Sequence, residues 1–548
     1  MLSAVVPARN SASWIAELLQ SISQQAVAEL EVLVVVNGSS DGTAEIVQGF
    51  VDRDPRFRLI PSSSASAAES RNHGIAAACG EYLVFADSDD IIPDGAYRAM
   101  LDSLQASGSD MVIGDHLKFS PTNTWSPTRR WHPFDEHLQA IDPSDVPQLL
   151  SGRPCWNRMF RRSFWDRAGL RFPEVPSVED IEPMTRAFVT AQRIDVVREC
   201  VYLYRDRGDA SSLSLHADAA VTVRYLEQEL ACAALVRDVP SLRAQHAEIV
   251  LDADGWAHLH RFLTTDPADD EVAEVARATE TLLSALPPDA LATVAPSRRV
   301  LWELVTRNEW DTARSFVLGT ASATEQDRIG AWCAAVHRLK HSDLAVAEKL
   351  AVDGLVPALV NGADQVDPSS LGRLLTGLVV LTLEPTGNAL FDALLTALRS
   401  ENAELVSKVS ALRRIVPLVV DRAEASAEGL TVGGPADLQE GGRARLHLTG
   451  ATGEDEAIDV VTGADGWRAD VLAAGTGAGR YSVTASFDGV AGRFPVVTAR
   501  MALPPVAESL PMQPLADRKD GWRFLVDRRP EQRGRLGGFL GKVARKLR

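Results

Sequence analysis

The sequence predicts a mixed α/β first domain on a mostly parallel sheet, then an all-α region, then a small β-sandwich-like module. Three observations carry this. Over residues 1–215 short apolar runs alternate with helical stretches, the pattern of βαβ units. Over 216–415 strand signals give way to helical periods rich in Ala, Leu, Arg and Glu. Over 421–500 short β-like runs are separated by Gly, Asp and Ala turns at the spacing of a β-sandwich. A length of 548 residues suits about three such domains.

The pattern predicts strands over Ser3–Val6, Glu31–Val36, Phe57–Ile60, Tyr82–Ala86 and Met111–Ile113. Helices are predicted over Ser11–Gln25, Thr43–Val51, Glu69–Cys79 and Pro93–Ala106. Polar clusters at 37–42 and 87–90 then fall at strand carboxyl ends, where α/β sheets bind ligands. In the helical region, Phe391, Leu398, Leu405 and Leu412 recur every seven residues, with Leu395, Asn402 and Val409 at the other seam position. Two readings stand for 388–412: a short coiled coil with a register-setting Asn, which makes the chain a homo-oligomer, or an amphipathic helix packed on its own domain. In the third module, strands are predicted over Leu430–Val432, Ala444–Leu448, Ala457–Val461, Trp467–Leu472 and Tyr481–Phe487. Residues 501–548 read as a Pro-rich linker, most evident at 504–514, and a basic tail.

The formal charge is −18, which argues against nucleic-acid binding. It is unevenly spread. Residues 528–548 hold eight basic residues and one acidic residue, so the tip is +7 and the rest −25. Leu536, Leu540, Val543 and Leu547 share one helical face there, the pattern of a helix drawn to an anionic membrane surface. A disordered solubilising tail is the other reading. The five cysteines have neither CxxC nor metal-ligand spacing, so reduced thiols in the cytoplasm are expected. No signal peptide is expected, and no apolar run approaches the ~20 residues that span a bilayer. Any membrane contact is expected to be peripheral, on the inner face.

Four constellations carry chemistry. Asp87-Ser88-Asp89-Asp90 ends an apolar strand; carboxylates so placed can hold a hard divalent cation against a diphosphate, or simply cap a helix. Glu179-Asp180 opens a helical run, where acids also suit the helix dipole. Tyr204 to Ser214 is a Gly/Ser loop with arginines, suited to a diphosphate or to solvent. Val5 to Asn10 and Val34 to Thr43 end the first two strands.

With Glu69-Ser70-Arg71-Asn72 leading through Gly80 into Asp87, this order and spacing closely resembles the family 2 glycosyltransferases over residues 1–215. The wall-teichoic-acid sugar transferases of that family are the most similar in motifs. The resemblance implies a GT-A fold and an inverting, metal-dependent transfer from a nucleotide-diphosphate sugar, with a UDP-sugar the first expectation. The acceptor implied is a hydroxyl of an envelope polysaccharide, a polyol-phosphate polymer or a lipid-linked glycan. It implies Asp180 as catalytic base with Glu179 orienting it or the acceptor, and Asp89 with Asp87 as ligands of Mn²⁺ or Mg²⁺. It places Pro7, Arg9, Asn37, Arg71, Asp87 and Ser88 on the nucleotide and Arg207, Ser211 and Ser212 near the diphosphate. A segment comparable to Pro154–Phe160 lines the acceptor side in relatives, many with Lys where this chain has Arg158. Two positions depart from the family pattern. Arg9 stands where an aromatic residue is usual and Asn37 where an Asp is usual, which leaves base identity open. Those departures motivate a competing reading, a catalytically silent scaffold; retention of Asp87, Asp89, Glu179 and Asp180 argues against it. A nucleotidyltransferase would need a Gly-rich Lys/Arg signature near the N-terminus, which is absent.

Overall fold

The computed structural model describes residues 1–526 except 64–65, 130–133, 208–217, 379–381, 436–437, 439–442, 464–465, 474–475, 499–511 and 516–521. The chain divides into two units, Met1–Asn308 and Glu309–Arg548.

In the first unit the strands are β1 (Leu2–Ala8), β2 (Leu30–Asn37), β3 (Phe57–Ser62), β4 (Tyr82–Phe85), β5 (Met111–Ser120), β6 (Asn123–Trp125), β7 (Leu138–Ile141), β8 (Arg158–Arg161) and β9 (Ile194–Arg205). They form one sheet in the order β3-β2-β1-β4-β8-β5-β9-β7, with β6 beside β5. β1 is parallel to both β2 and β4, and β8 is the antiparallel insertion. Burial on both faces explains why these strands read as continuous apolar runs. Leu2, Ala4, Val6 and Ala8 of β1 join the core under α1 (Ile15–Ser23), α2 (Thr43–Val51) and α4 (Ala96–Ser107). Val5, Leu33 and Phe85 join the opposite core under α3 (Ala67–Ala77), α5 (Arg162–Arg167) and α6 (Ile181–Thr190). The mixed, mostly parallel α/β sheet is the fold class that the alternation predicts. The register sets Ala8 beside Val36 and Val5 beside Phe85, so the loops after β1, β2 and β4 leave the sheet at one edge.

The structure extends the expected strands. β5 continues past Ile113 through a register shift at Gly114–His116, where Asp115 and His116 interrupt the apolar pattern. The expected boundary near residue 215 falls inside the first unit. Helices α7 (Ala219–Val236) and α8 (Pro240–Asp252) join its core through Val236, Leu242 and Ile249. Below them Arg153 donates twice to Glu229, at 2.6 and 2.8 Å, and His246 lies 2.9 Å from the same carboxylate. Glu229 is fully buried. Three more helices, Asp254–Thr264, Asp269–Ala285 and Pro296–Val305, complete the unit.

In the second unit the heptad segment is not one helix. Helices Ala389–Arg399 and Ala403–Ala411 are separate, and Asn402 caps the second by accepting from the Leu405 N–H at 3.0 Å. The chain turns at Glu401, whose φ is +54°. Leu395, Val409 and Leu412 are buried inside the unit, so they are not a free seam. Local capping chemistry, not a buried polar register residue, explains this Asn. The β-rich part forms two sheets that span Leu418–Val526. It includes Met512–Leu515, which pairs with Arg523–Val526, so the end of the expected linker is a strand. The basic tail, 528–548, lies outside the described residues.

Breaking the buried network leaves an uncompensated charge. Glu229→Ala is expected to destabilise the first unit by about 3–5 kcal/mol, read from denaturant unfolding. Burial alone would raise the Glu229 carboxyl, but Arg153 and His246 outweigh it and hold it well below the usual range. Its stabilisation is therefore present above the ordinary Glu value of about 4.3 and fades as pH falls below it. The gap between wild type and variant should close on acidification.

Candidate active site

The loops after β1, β2 and β4 are tied to one another. Asn10, at φ +48°, accepts from the Ser40 N–H at 3.0 Å and donates its own N–H to Ser39 Oγ at 3.0 Å. Asp41 accepts from the Ala12 N–H at 2.9 Å, and Thr43 Oγ1 accepts from the Ser11 N–H at 2.8 Å. Ser11 and Ser88 share a hydroxyl hydrogen bond at 2.6 Å.

α3 starts at the cap Ser66 and carries Arg71 into the site. Arg71 is 4% exposed and pairs with Asp87 and Glu179, each at 2.6 Å, with Asp180 at 3.5 Å. Asn72 fixes the helix from the side: it donates to the Phe172 carbonyl at 2.8 Å and accepts from the Phe172 N–H at 3.1 Å. Gly74 lets the helix lie against β1, since a Cβ there would meet Val5 at 2.4 Å.

Asp180 sits at the N-cap position of α6 but makes no side-chain cap. Its carboxylate instead accepts from the Cys155 N–H at 3.0 Å and faces Arg71. Just before it, Val178 has φ +58°, a strained conformation for a β-branched residue. Burial raises the Asp180 carboxyl, Arg71 pulls it down, and Glu179 and Asp87 push it up again, to about 6.

The acids at 87–90 are strapped by β9. Asp87 donates its N–H to Tyr202 Oη at 2.9 Å, and that hydroxyl donates to Asp90 at 2.7 Å. Asp90 also accepts from the Arg205 N–H at 2.7 Å. Arg205 Nε donates to the Asp89 carbonyl, and Arg207 pairs with the Asp89 carboxylate at 2.6 Å. Burial and then Asp87 raise the Asp89 carboxyl, against Arg207. Burial, Asp89 and Asp87 push Asp90 well above the usual range. Tyr202 is itself stacked on Trp156 at 4.2 Å. Arg205 and Trp156 fall inside the arginine loop and the Pro154–Phe160 segment that the sequence points to, without being named individually; Tyr202, just before that loop, carries no sequence signal of its own.

These residues enclose a cavity of about 780 Å³. Pro7, Arg9, Asn37, Arg71, Asp87, Ser88, Asp89, Glu179 and Arg207 all line it, so nine of the expected residues come together. Asp180 stands behind this lining, in contact with Arg71. Ser211 and Ser212 lie outside the described residues. Arg158 does not reach the cavity: it is buried and donates to the carbonyls of Pro154 and Gly152 and to Asn157. It anchors its own segment.

Among the described residues no three His, Cys, Asp or Glu groups converge as an all-protein metal site. The two hard carboxylates of Asp87 and Asp89 nonetheless fit a cation that takes its other ligands from a diphosphate. The upward pressure of Asp87 on Asp89 marks negative charge that such a cation would offset.

Residues 3–168 match the family model described as glycosyl transferase family 2. The chain is 27% identical over 214 residues to the uncharacterized glycosyltransferase EpsJ of Bacillus subtilis, covering 38% of this chain and 61% of that one. It is 27% identical over 222 residues to the poly(ribitol-phosphate) beta-N-acetylglucosaminyltransferase TarS of Staphylococcus aureus, covering 39% of this chain and 36% of that one. The crystal structure of S. aureus TarS superposes with a TM-score of 0.48 at 14% identity, covering 96% of this chain and 84% of that one.

Arg71 is the shared partner of three carboxylates. Arg71→Met is expected to cost about 3 kcal/mol in denaturant unfolding, because three half-buried acids lose their one buried cation. Arg71→Lys should recover only part of it, since one ammonium cannot reproduce the fork.

Proposed function

On the premise that the first domain is a family 2 glycosyltransferase domain, we propose that the chain transfers a sugar, with inversion, from a UDP-sugar to a hydroxyl of a cell-envelope glycan or polyol-phosphate polymer. One observation carries this reading: a single buried guanidinium joins Asp87, on the loop after β4, to the acid pair Glu179–Asp180. Donor-side and acceptor-side carboxylates are thereby held around one point.

Asn37 is buried at the cavity wall, where its amide oxygen can accept from a base, and the exposed Arg9 plane can stack on it. A divalent cation, Mn²⁺ or Mg²⁺, held by Asp89 and Asp87 would supply positive charge for the leaving diphosphate. Arg207 sits at the same carboxylate and can pair with phosphate oxygens. Asp180 is the proposed base: it takes the acceptor hydroxyl's proton as that oxygen bonds to the anomeric carbon. The bond from that carbon to the diphosphate breaks with its electron pair, and the nucleoside diphosphate leaves. Glu179 lines the cavity beside it and orients the acceptor. The similarity to TarS, named for a poly(ribitol-phosphate) acceptor, supports an envelope polymer. Among the described residues no helix is long and apolar enough to cross a membrane. We place the chain in the cytoplasm, with contact to the inner face of the membrane through 528–548.

The raised Asp180 value sets the pH dependence. A base near 6 is protonated below that pH, so transfer should fall about tenfold per unit below pH 6 and level off above it. Asp180→Asn should lower turnover by about 10²–10⁴ while leaving UDP affinity unchanged. Folding raises this carboxyl's pKa, so its stabilising share is present at low pH and lost as pH rises through about 6. The same variant should therefore be more resistant to unfolding than wild type at pH 8. Full turnover in Asp180→Asn, or no UDP-sugar consumption by wild type with either cation, would sink the reading.

A further inference from the structure

The cavity is lined by five cationic side chains, Arg9, Arg71, Lys118, Arg205 and Arg207. Three are committed to acids of this chain: Arg71 to Asp87 and Glu179, Arg205 to Glu17, and Arg207 to Asp89. Arg9 lies at the end of β1, next to Asn37 on β2, where a base would rest. Lys118 is different. Among the described residues it makes no ion pair, and its Nζ rests 4.9 Å over the Tyr204 ring.

The sheet register shows what surrounds it. Lys118 of β5 is directly opposite Trp125 of β6 on one side and Tyr204 of β9 on the other. Residues paired in this way project from the same face. Trp125, Lys118 and Tyr204 therefore form one row across three strands, aromatic–lysine–aromatic, and all three line the cavity. Trp156, buried in the core behind the row, supports Tyr204 at 5.8 Å between ring centroids. Sheet order separates this row from the nucleotide end: β1 and β5 are three strand steps apart, about 14 Å at the usual ~4.8 Å spacing. The acids at 87–90 leave β4, which lies between them.

Aromatic rings present flat apolar faces to the C–H faces of sugar or polyol units. An ammonium between two such rings, with no ion pair among the described residues, is a counter-charge for an anion brought by a ligand. A chain of net charge −18 offers no general attraction to an anionic polymer, so local cations must supply it.

We propose that Trp125, Lys118 and Tyr204 form the acceptor subsite, and that the acceptor is an anionic polymer with a phosphate or carboxylate next to its hydroxyl-bearing unit. The inference rests on the sugar-transfer reading but is tested apart from it. The full chain is titrated calorimetrically, with and without UDP and Mg²⁺, with a ribitol-phosphate octamer, a galacturonate octamer and neutral maltooctaose. At least one anionic octamer should bind wild type ten or more times tighter than maltooctaose. Lys118→Met should weaken that binding tenfold or more and leave UDP affinity within twofold; Lys118→Arg should restore most of it. Trp125→Ala should weaken all three oligomers. Which anionic octamer binds tighter decides between phosphate and carboxylate. Equal binding of neutral and anionic oligomers, no binding of any, or an unchanged affinity in Lys118→Met overturns the proposal. Failure of UDP alone to bind wild type would instead count against the nucleotide-sugar reading, because the oligomer titration is also run without it.

Discussion

One buried guanidinium organises the candidate site. Arg71 is the common partner of Asp87, Glu179 and Asp180, which come from loops about a hundred residues apart in the chain. Without a cation between them, three carboxylates could not share so small and dry a volume: at close range in low dielectric their repulsion would either protonate them or push the loops apart. The placement of Arg71 is in turn over-determined. Ser66 sets where α3 starts, Gly74 lets it press on β1, and Asn72 grips both polar atoms of the Phe172 backbone. Rigid positioning of a charge costs side-chain entropy, and here the packing of a whole helix offsets it.

The second acid cluster is held differently. Asp87, Asp89 and Asp90 are consecutive or nearly so, and β9 closes over them with a tyrosine hydroxyl, the Arg205 N–H on the Asp90 carboxylate and the Arg205 guanidinium on the Asp89 carbonyl. Tyr202 both accepts and donates in this chain of bonds, which fixes the direction of its proton. The Trp156 stack holds the ring that makes this possible. Negative charge is thereby concentrated at the cavity wall, with Arg207 on Asp89 and Arg71 on Asp87 as counter-charges.

Much of this was legible in the sequence where the signal is local. Apolar runs of four to eight residues gave β1 to β4, and their polar ends gave the loops that meet at the cavity. Asp87 and Asp89 stood out at a strand end and Glu179 at a helix start, while Arg71 and the roles of all four came from the resemblance to the family 2 glycosyltransferases. What was not legible depends on contacts between distant segments. Nothing in the spacing of Tyr202 announces a bond to Asp90, 112 residues away. The inclusion of α7 and α8 in the first unit rests on Val236, Leu242 and Ile249 in its core and on a buried Arg–Glu–His cluster whose members look like ordinary surface residues in a helical pattern. Asn402 shows the opposite failure. Its heptad position suggested a coiled coil, yet an Asn that can accept from the N–H three residues on is also a helix start, and that local bond prevailed.

The segment 152–158 connects these two levels of organisation. Arg153 reaches Glu229, whose carboxylate His246 also contacts, while the N–H of Cys155 reaches Asp180. Trp156 stacks on Tyr202, and Asn157 exchanges two hydrogen bonds with Gly114 of β5. Arg158 ties the segment's own carbonyls together. Seven residues thus touch the helical layer, the proposed base, the tyrosine that straps the acids, and the strand that carries Lys118. Close-packed interiors transmit displacement because they have few voids to absorb it. The helices beyond residue 218 are therefore the rear support of the acid site. They keep the Cys155 N–H on Asp180 and, with it, the carboxyl whose pKa near 6 the chemistry would use.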